Sequence, residues 1–524
     1  MKVRITELIA VFMIVGILLM NMRMPVGTAA SQTDINNAIE KGLAYLNNTQ
    51  ALDGHWGGGW NPVACTAMAV LSFENAPNTH YGWNLTDPYH TTVQKGLDWL
   101  FSQASVVSIG VQPAGNPDTN GNGIGIGWYG DGQPIYETPM VLMALVASQA
   151  QTNVTTTGPA NVIGRTYHDI AVDIVDYLAW AQCDAPSVYR GGWRYQPNEG
   201  DADNSLSQWP VLGLMAAELW GINAPAFVKS ELQYWTTYDQ NLNGNYNTNY
   251  FYGSFDYMPG ANMNSIAESA TGILELTYCG YDNTYANITA AEGYIVRDWL
   301  TNSGWRVNIG NFYAMYAVMK ASRLATPTPI QFIANYTGFP AIEWYNGTGM
   351  YADTLVTNQG VDGHWDQWVA PTWVTTDLST AWGVLILEYV PVKVTYNLIV
   401  HVVDAKTNNP IPGANVMAVG PQSLSGVTDG GTLVFNNIQA GPYVVSASKL
   451  GYTSASISLS LTQDTETTIR LSTSVPVGGE WTPITLQVLS TITPLELLTS
   501  WVVLALIATA FAIAAHRRLL KKHW

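Results

Sequence analysis

The sequence predicts a multidomain, mainly α protein. An (α/α)6 toroid of helical hairpins comes first, then a small all-β sandwich, then a C-terminal transmembrane helix. Three observations predict it. A Gly/Trp turn recurs after helical runs, as Asp53-Gly54-His55-Trp56, Gly127-Trp128, Gly192-Trp193, Gly304-Trp305 and Asp362-Gly363-His364-Trp365. The apolar period changes from 3.6 to 2 after Tyr389, and residues 495–515 are almost wholly apolar. A unit recurring every roughly 50–60 residues implies a stacked or closed repeat architecture.

The ends of the chain set the expected compartment. Lys2 and Arg4 precede the apolar run Leu8–Met20, and Gly27-Thr28-Ala29-Ala30 supplies small residues for cleavage. Residues 1–30 therefore read as a secretory signal peptide. An uncleaved anchor is the alternative, but the run falls short of the ~20 residues that span a bilayer. At the other end Leu495–Ala515 carries one early acid, Glu496, and His516-Arg517-Arg518 with Lys521-Lys522 follow at once. An apolar stretch with a basic flank predicts a membrane span whose tail, residues 516–524, lies in the cytoplasm. The expected localisation is the cell membrane in type I topology, with the large N-terminal region outside.

Composition agrees with that location. Charged residues make up 11% of the chain and the formal net charge is −17, which argues against nucleic acid and anionic headgroups as partners. Sequons for glycosylation stand at Asn47, Asn84, Asn153, Asn287, Asn335 and Asn346. Cys65, Cys183 and Cys279 are too few and too dispersed for a disulfide framework, and buried free thiols are the expectation.

Within residues 31–391 the periodicity marks six helical hairpins. Ile35–Leu46 pairs with Ala64–Phe73, and Val93–Phe101 with Pro139–Ser148 across a long glycine-rich loop. Ile170–Gln182 pairs with Leu206–Trp220, and Ala226–Tyr238 with Ser265–Tyr278. Ala290–Leu300 pairs with Phe312–Ser322, and a weaker segment near Ala341–Val356 with Thr376–Tyr389. In each clear pair the first helix is amphipathic and the second apolar nearly all round, the pattern of outer and inner helices. Closure into a ring buries the inner helices; an open solenoid would expose one face of each. Asp203 and Ser205, Ser265 with Glu268, and Thr375-Thr376-Asp377 supply capping chemistry at inner-helix starts. Converging helix dipoles would favour polar or anionic ligands at that mouth.

Residues 392–472 alternate as strands do: Asn397–Val403, Asn415–Val419, Thr432–Phe435, Tyr443–Ala447 and Ala455–Leu461, separated by turns such as Pro412-Gly413 and Asp429-Gly430-Gly431. This predicts a small β-sandwich. It resembles the carboxypeptidase regulatory-like domains that act as spacers in surface proteins. Residues 473–494, rich in Ser, Thr and Pro, read as a tether.

The helical repeats carry a second resemblance. Gly42-Leu43-Ala44-Tyr45-Leu46, Gln50, Asp53-Gly54-His55-Trp56-Gly57 and Cys65-Thr66-Ala67-Met68-Ala69 resemble the repeats of the squalene–hopene cyclase and protein prenyltransferase superfamily, in which a Gln and a Trp flank each turn. Gly191-Gly192-Trp193-Arg194-Tyr195, Asp201-Ala202-Asp203-Asn204-Ser205 and Trp209 look like its central repeat. The similarity covers about residues 34–390. It implies the α/α toroid (terpenoid cyclase/prenyltransferase-like) and, for a cyclase, an Asp-x-Asp-Asp proton donor. Here Asp201-Ala202-Asp203-Asn204 ends in Asn, and a missing carboxylate changes the coupled titration such a donor depends on. Asp201 and Asp203 are the candidate catalytic residues, with Asp203 alternatively a helix cap. The zinc set of a prenyltransferase and the Cys-Gly-Glu-Gln run of thioester toroids are absent.

Other candidates are weighed beside these. His55 and His364 precede Trp in identical turns, and ring closure would make them neighbours. Asp118-Thr119-Asn120-Gly121-Asn122-Gly123 and Asp239-Gln240-Asn241-Leu242-Asn243-Gly244 match the first half of a calcium loop, with Asp131 and Asp256 further along as completing ligands. Calcium is the one cofactor the sequence points to; a plain Asn/Gly turn is the alternative. The chain holds 20 Trp and 28 Tyr, and aromatic faces at a toroid mouth stack on sugars. Trp56, Trp128, Trp193, Arg194, Tyr195 and Trp365 are the candidate ligand contacts. Asp53, Asp131, Asp201, Asp203, Glu268 and Asp362 are the acids from which a glycosidase pair would come.

The leading reading is a membrane-anchored surface toroid, not an enzyme, that binds a glycan, lipid or protein at its mouth. The alternatives are an extracytoplasmic enzyme, cyclase-like or carbohydrate-active, using Asp201 and Asp203, and a structural envelope component. A deep apolar cavity with Asp203 pointing inward would favour the cyclase. Two facing carboxylates in an aromatic cleft would favour the glycosidase, and an axis filled by side chains would favour scaffolding.

Overall fold

Among the described residues twelve α-helices fall into two alternating kinds, and their burial explains the alternation. A computed structural model describes residues 29–58, 61–74, 85–300, 304–333, 340–367, 374–388, 395–420, 423–439, 441–461 and 465–473. The odd-numbered helices are α1 (Gln32–Thr49), α3 (His90–Ser102), α5 (Tyr167–Ala181), α7 (Ala226–Asp239), α9 (Ala286–Asp298) and α11 (Tyr351–Asn358). The even-numbered ones are α2 (Pro62–Glu74), α4 (Pro134–Ala147), α6 (Asn204–Glu218), α8 (Ile266–Tyr278), α10 (Phe312–Leu324) and α12 (Thr376–Leu387). In α1 a single face is buried, Ile35, Ala38, Ile39, Gly42, Leu43 and Leu46, whereas every residue of α2 from Val63 to Glu74 is buried. Each even helix packs on the next, α12 packs back on α2, and α1 leans on α12. The contact order is cyclic.

A five-part joint is repeated between neighbouring hairpins. Trp56, Trp128, Trp193 and Trp365 donate their indole N–H to a carbonyl near the end of the preceding outer helix, Leu46, Leu100, Leu178 and Leu355, at 2.7, 2.6, 2.9 and 2.8 Å. Their backbone N–H groups donate to hydroxyls of the following inner helix: Thr66, Thr138, Ser207 and Thr380, at 2.9–3.0 Å. Gln50, Gln182, Gln240 and Gln359 each donate to a carbonyl of their own turn and to one of the next outer helix, Thr92, Val228, Asn287 and Ala38. The glycine at the turn lets that helix approach. At Gly363, φ is +101° and a Cβ would lie 2.1 Å from the Lys41 carbonyl oxygen, so no other residue fits. Because Lys41 and Ala38 belong to α1, the last turn docks on the first helix.

Departures from the sequence reading have local causes. The glycine-rich loop before α4 forms a hairpin, β1 (Ser105–Ser108) with β2 (Ile124–Gly127), whose glycines lie against Tyr177 of α5. The expected helix at Ala341–Val356 begins only at Tyr351; β3 (Phe332–Ile333) pairs with β4 (Ile342–Glu343) before it, and Gly347 and Gly349 intervene. Residues 1–28 and 495–515, expected to be a signal peptide and a membrane span, lie outside the described residues. Among the described residues no helix is long and apolar enough to cross a membrane.

The β region has two four-stranded sheets. Its strands are β5 (Thr395–Asp404), β6 (Asn415–Val419), β7 (Ser423–Val427), β8 (Thr432–Gln439), β9 (Gly441–Ser448), β10 (Tyr452–Thr453), β11 (Ala455–Leu461) and β12 (Thr465–Thr473). The orders are β10-β12-β5-β8 and β11-β9-β6-β7, with β12 parallel to β5. Alternate residues, such as Leu398, Val400 and Val402 of β5 and Val416 and Ala418 of β6, form one shared core. The sequence reading missed β7, β10 and β12, whose residues are mostly polar. Thr473, expected in the tether, is the last residue of β12.

Candidate functional site

The first turns of four inner helices surround a pocket of about 390 Å³. Its walls are Asn61 and Ala64 of the α2 start, Asp131 and Gln133 of the turn before α4, Tyr136, Glu137 and Met140 of α4, and Tyr195. Trp209 of α6 with Leu378 and Trp382 of α12 complete it. Trp209 and Trp382 stack at 6.1 Å and 17°, and Tyr316 of α10 stacks on both, at 5.6 and 6.1 Å. These rings fill the space between the inner helices. Trp209 and Trp382 hold buried indole N–H groups that meet no acceptor among the described residues, which is uncommon in a native interior. Tyr136 and Tyr195 lie 6.0 Å apart at the rim.

Acids frame this mouth, and most are engaged. Glu137 accepts the Gly130 and Asp131 backbone N–H groups at 2.7 and 2.8 Å, and burial pushes its carboxyl up to about 7. Burial also raises Asp131, the exposed acid of the rim. Asp377 beside the pocket accepts Gly57 N–H across the first and last repeats at 3.0 Å.

Asp203 and Asp201, the candidate catalytic pair, come together on one cation. Asp203 is fully buried and caps α6, accepting Leu206 N–H at 3.0 Å and the Ser205 hydroxyl at 2.6 Å. Its second oxygen takes a hydrogen bond from Arg194, whose Nε is 3.6 Å from Asp201. Burial raises the Asp203 pKa; Ser205, Arg194 and Tyr257 pull against it. Arg194 also donates to the Tyr257 hydroxyl at 3.0 Å, and Tyr257 meets Tyr195 at 3.1 Å. Arg194 and Tyr195 thus belong to a network behind the pocket, with Tyr195 alone on its wall. Glu268, one repeat on, is buried with one oxygen unpartnered.

The four tryptophans require a correction. Trp56, Trp128, Trp193 and Trp365 are at most 1% exposed and form the joints between hairpins, so they present no face to a ligand. His55 and His364 bond within their own turns, to Asp53 at 2.6 Å and to Asp362, and His55 stacks on Trp99.

The two calcium-loop motifs fare differently. Asp118 accepts Gly121 and Gly123 N–H, while Asn120 and Asn122 both donate to Asp173 of α5, so the three stay in one loop. In the second motif Asp239 turns inward to Asn204 and the Asp256 backbone, and Asn241 and Asn243 stay in the loop outside; the three do not converge. Asp256, the acid expected to complete that shell, accepts Tyr257, Asn262 and Met263 N–H groups instead. Among the described residues no three acids, histidines or cysteines gather as a metal set.

Tyr136, Glu137, Gln133 and Trp382 escaped the sequence reading, which named Trp209 only within the repeat resemblance and not as a pocket residue. Glu137 directly precedes the Thr138 hydroxyl that meets Trp128, as Glu268 precedes Ser269 at Phe255, so aligning the repeats on that hydroxyl would have placed it.

These features define a multidomain protein of a helical ring followed by a β-sandwich. The family model of the carboxypeptidase regulatory-like domain matches residues 397–473, the sandwich itself. No curated protein matches the chain.

Proposed function

We propose that this is a membrane-anchored cell-surface protein whose ring, akin to the cyclase and prenyltransferase toroids, binds a neutral glycan in the pocket at the inner-helix starts. The observation that carries the reading is the pocket's chemistry. Tyr136 and Tyr195 present half-buried rings at its rim, above the buried Trp209 and Trp382, and Asp131, Gln133 and Asn61 offer hydrogen bonds there. Sugars use both kinds of contact, stacking through their C–H faces and bonding through hydroxyls. The acids and the net charge of −17 disfavour uronic or sulfated sugars. Binding without turnover is favoured because Asp203 is engaged as cap and ion-pair partner, Glu137 holds the Asp131 loop, and stacked rings occupy the ring's interior.

The test is an oligosaccharide array on the purified full chain, followed by calorimetry on any hit. Tyr195→Ala and Gln133→Ala should each weaken binding about tenfold, the loss of roughly 1.4 kcal/mol, and the exposed Gln133→Ala should do so without lowering Tm. Absence of any saccharide ligand, or affinity indifferent to both substitutions, would sink the reading. Release of reducing sugar by the chain would replace it with the hydrolytic alternative.

A further inference from the structure

A second pocket, of about 660 Å³, lies at the opposite ends of the inner helices. Its lining comes from the last turns of α2, α4, α6 and α10: Leu71, Met143, Val146, Leu212, Met215 and Leu324, with Leu219 and Trp220 just beyond α6. The volume falls within the ~300–1,000 Å³ of small-molecule sites. Two cations stand in this apolar wall, Lys320 and Arg323.

Neither cation has a salt bridge among the described residues. Lys320 lies 5.3 Å from the Tyr316 ring, and burial, with Arg323 nearby, pulls its ammonium down to about 7. Lys320 is half-buried, and an anion beside it would favour its charged form. Among the described residues the chain's own acids do not supply one by contact. Glu218, on the same wall, is held by Lys229 at 2.9 Å. Glu388, at the end of α12, is buried with neither oxygen hydrogen-bonded, and burial raises its pKa well above the usual range. Two cations without a salt bridge stand beside an apolar surface, with Glu388 acting on them through its field and not by contact, and a ligand bringing one negative charge and an alkyl body fits there.

We infer that this pocket binds an anionic amphiphile, its acidic head on Lys320 and Arg323 and its chain along Leu71, Met143, Leu212 and Met215. A free fatty acid and an anionic phospholipid share that chemistry. The site is independent of the glycan pocket, since the stacked Trp209, Tyr316 and Trp382 stand between the two.

The full chain in phosphatidylcholine nanodiscs is irradiated with a diazirine-bearing decanoate, and the labelled residues are read by mass spectrometry. Labels should fall on α2, α4 and α6, and unlabelled decanoate should compete whereas decylamine and decanol should not. Lys320→Met with Arg323→Gln should cut labelling about tenfold; Arg323→Gln alone, a partly exposed change, should reduce it without lowering Tm. Nanodiscs containing phosphatidylglycerol separate the sources: suppressed labelling identifies the phospholipid head, and undiminished labelling the free acid. Labelling scattered over the surface, equal competition by decylamine, or labelling unchanged in both variants would overturn the inference.

Discussion

Asp203 shows how one residue can look catalytic in sequence and be structural in space. An Asp before an inner helix is where a proton donor would sit, and it is also where a helix needs a cap. Here the carboxylate meets a backbone N–H, a hydroxyl and a guanidinium, and is fully buried. Losing a helix N-cap costs about 0.5–2 kcal/mol, while Arg194 keeps Asp201 at 3.6 Å and is not left without an acid. Asp203→Ala should therefore lower the unfolding free energy by that amount in urea titrations, and Asp203→Asn, which keeps a capping oxygen, by less. An alanine variant as stable as the parent would show that the cap contributes nothing. The tryptophans err in the same direction: a Gly/Trp turn looks exposed in sequence, yet each indole N–H lies on the carbonyl of the helix before it.

At the level of elements, what could be read from sequence was what repeats locally. Helix pairs followed from apolar period, since α1 shows one buried face and α2 shows buried residues all round. The β1–β2 hairpin was hidden because Gly125 and Gly127 carry no side chains to alternate; their place is set by Tyr177 from another hairpin. The pocket was hidden for a related reason. Its residues come from the starts of α2, α4, α6 and α12, and no sequence window contains them together. Ring closure is testable at Gly363. Alanine there meets backbone strain of about 1–3 kcal/mol and also collides with the Lys41 carbonyl, whereas Gly221, at φ +75°, faces open space. Gly363→Ala should lower Tm clearly more than Gly221→Ala does, and equal shifts would mean that the last turn does not bear on α1.

At the scale of the whole molecule the unusual feature is the number of buried carboxyls that make no salt bridge among the described residues. Glu74, Glu268, Glu275, Glu388 and Asp239 are buried, and burial holds each pKa well above its usual value. Glu137 and Glu343 are pushed up to about 7, and Asp176 to about 6, again by burial. In the unfolded chain such groups release their protons near pH 4. Between there and the folded pKa values, the folded state binds more protons than the unfolded one, so stability falls as pH rises. Their contribution is fully present below about pH 4 and is lost as pH climbs through 6 and 7. Lys320 works with the opposite sign, but only above about 7, where the folded state has released a proton that the unfolded chain keeps. Tm should thus be several degrees higher at pH 5 than at pH 7.5. Glu275, buried without a salt bridge among the described residues, isolates the cause: Glu275→Gln should raise Tm at pH 7.5, where the acid is costly to keep buried, and leave it nearly unchanged at pH 4.5. A Tm that rises from pH 5 to 7.5, or a glutamine variant destabilised equally at both, would mean that these acids are ionised and paired in solution.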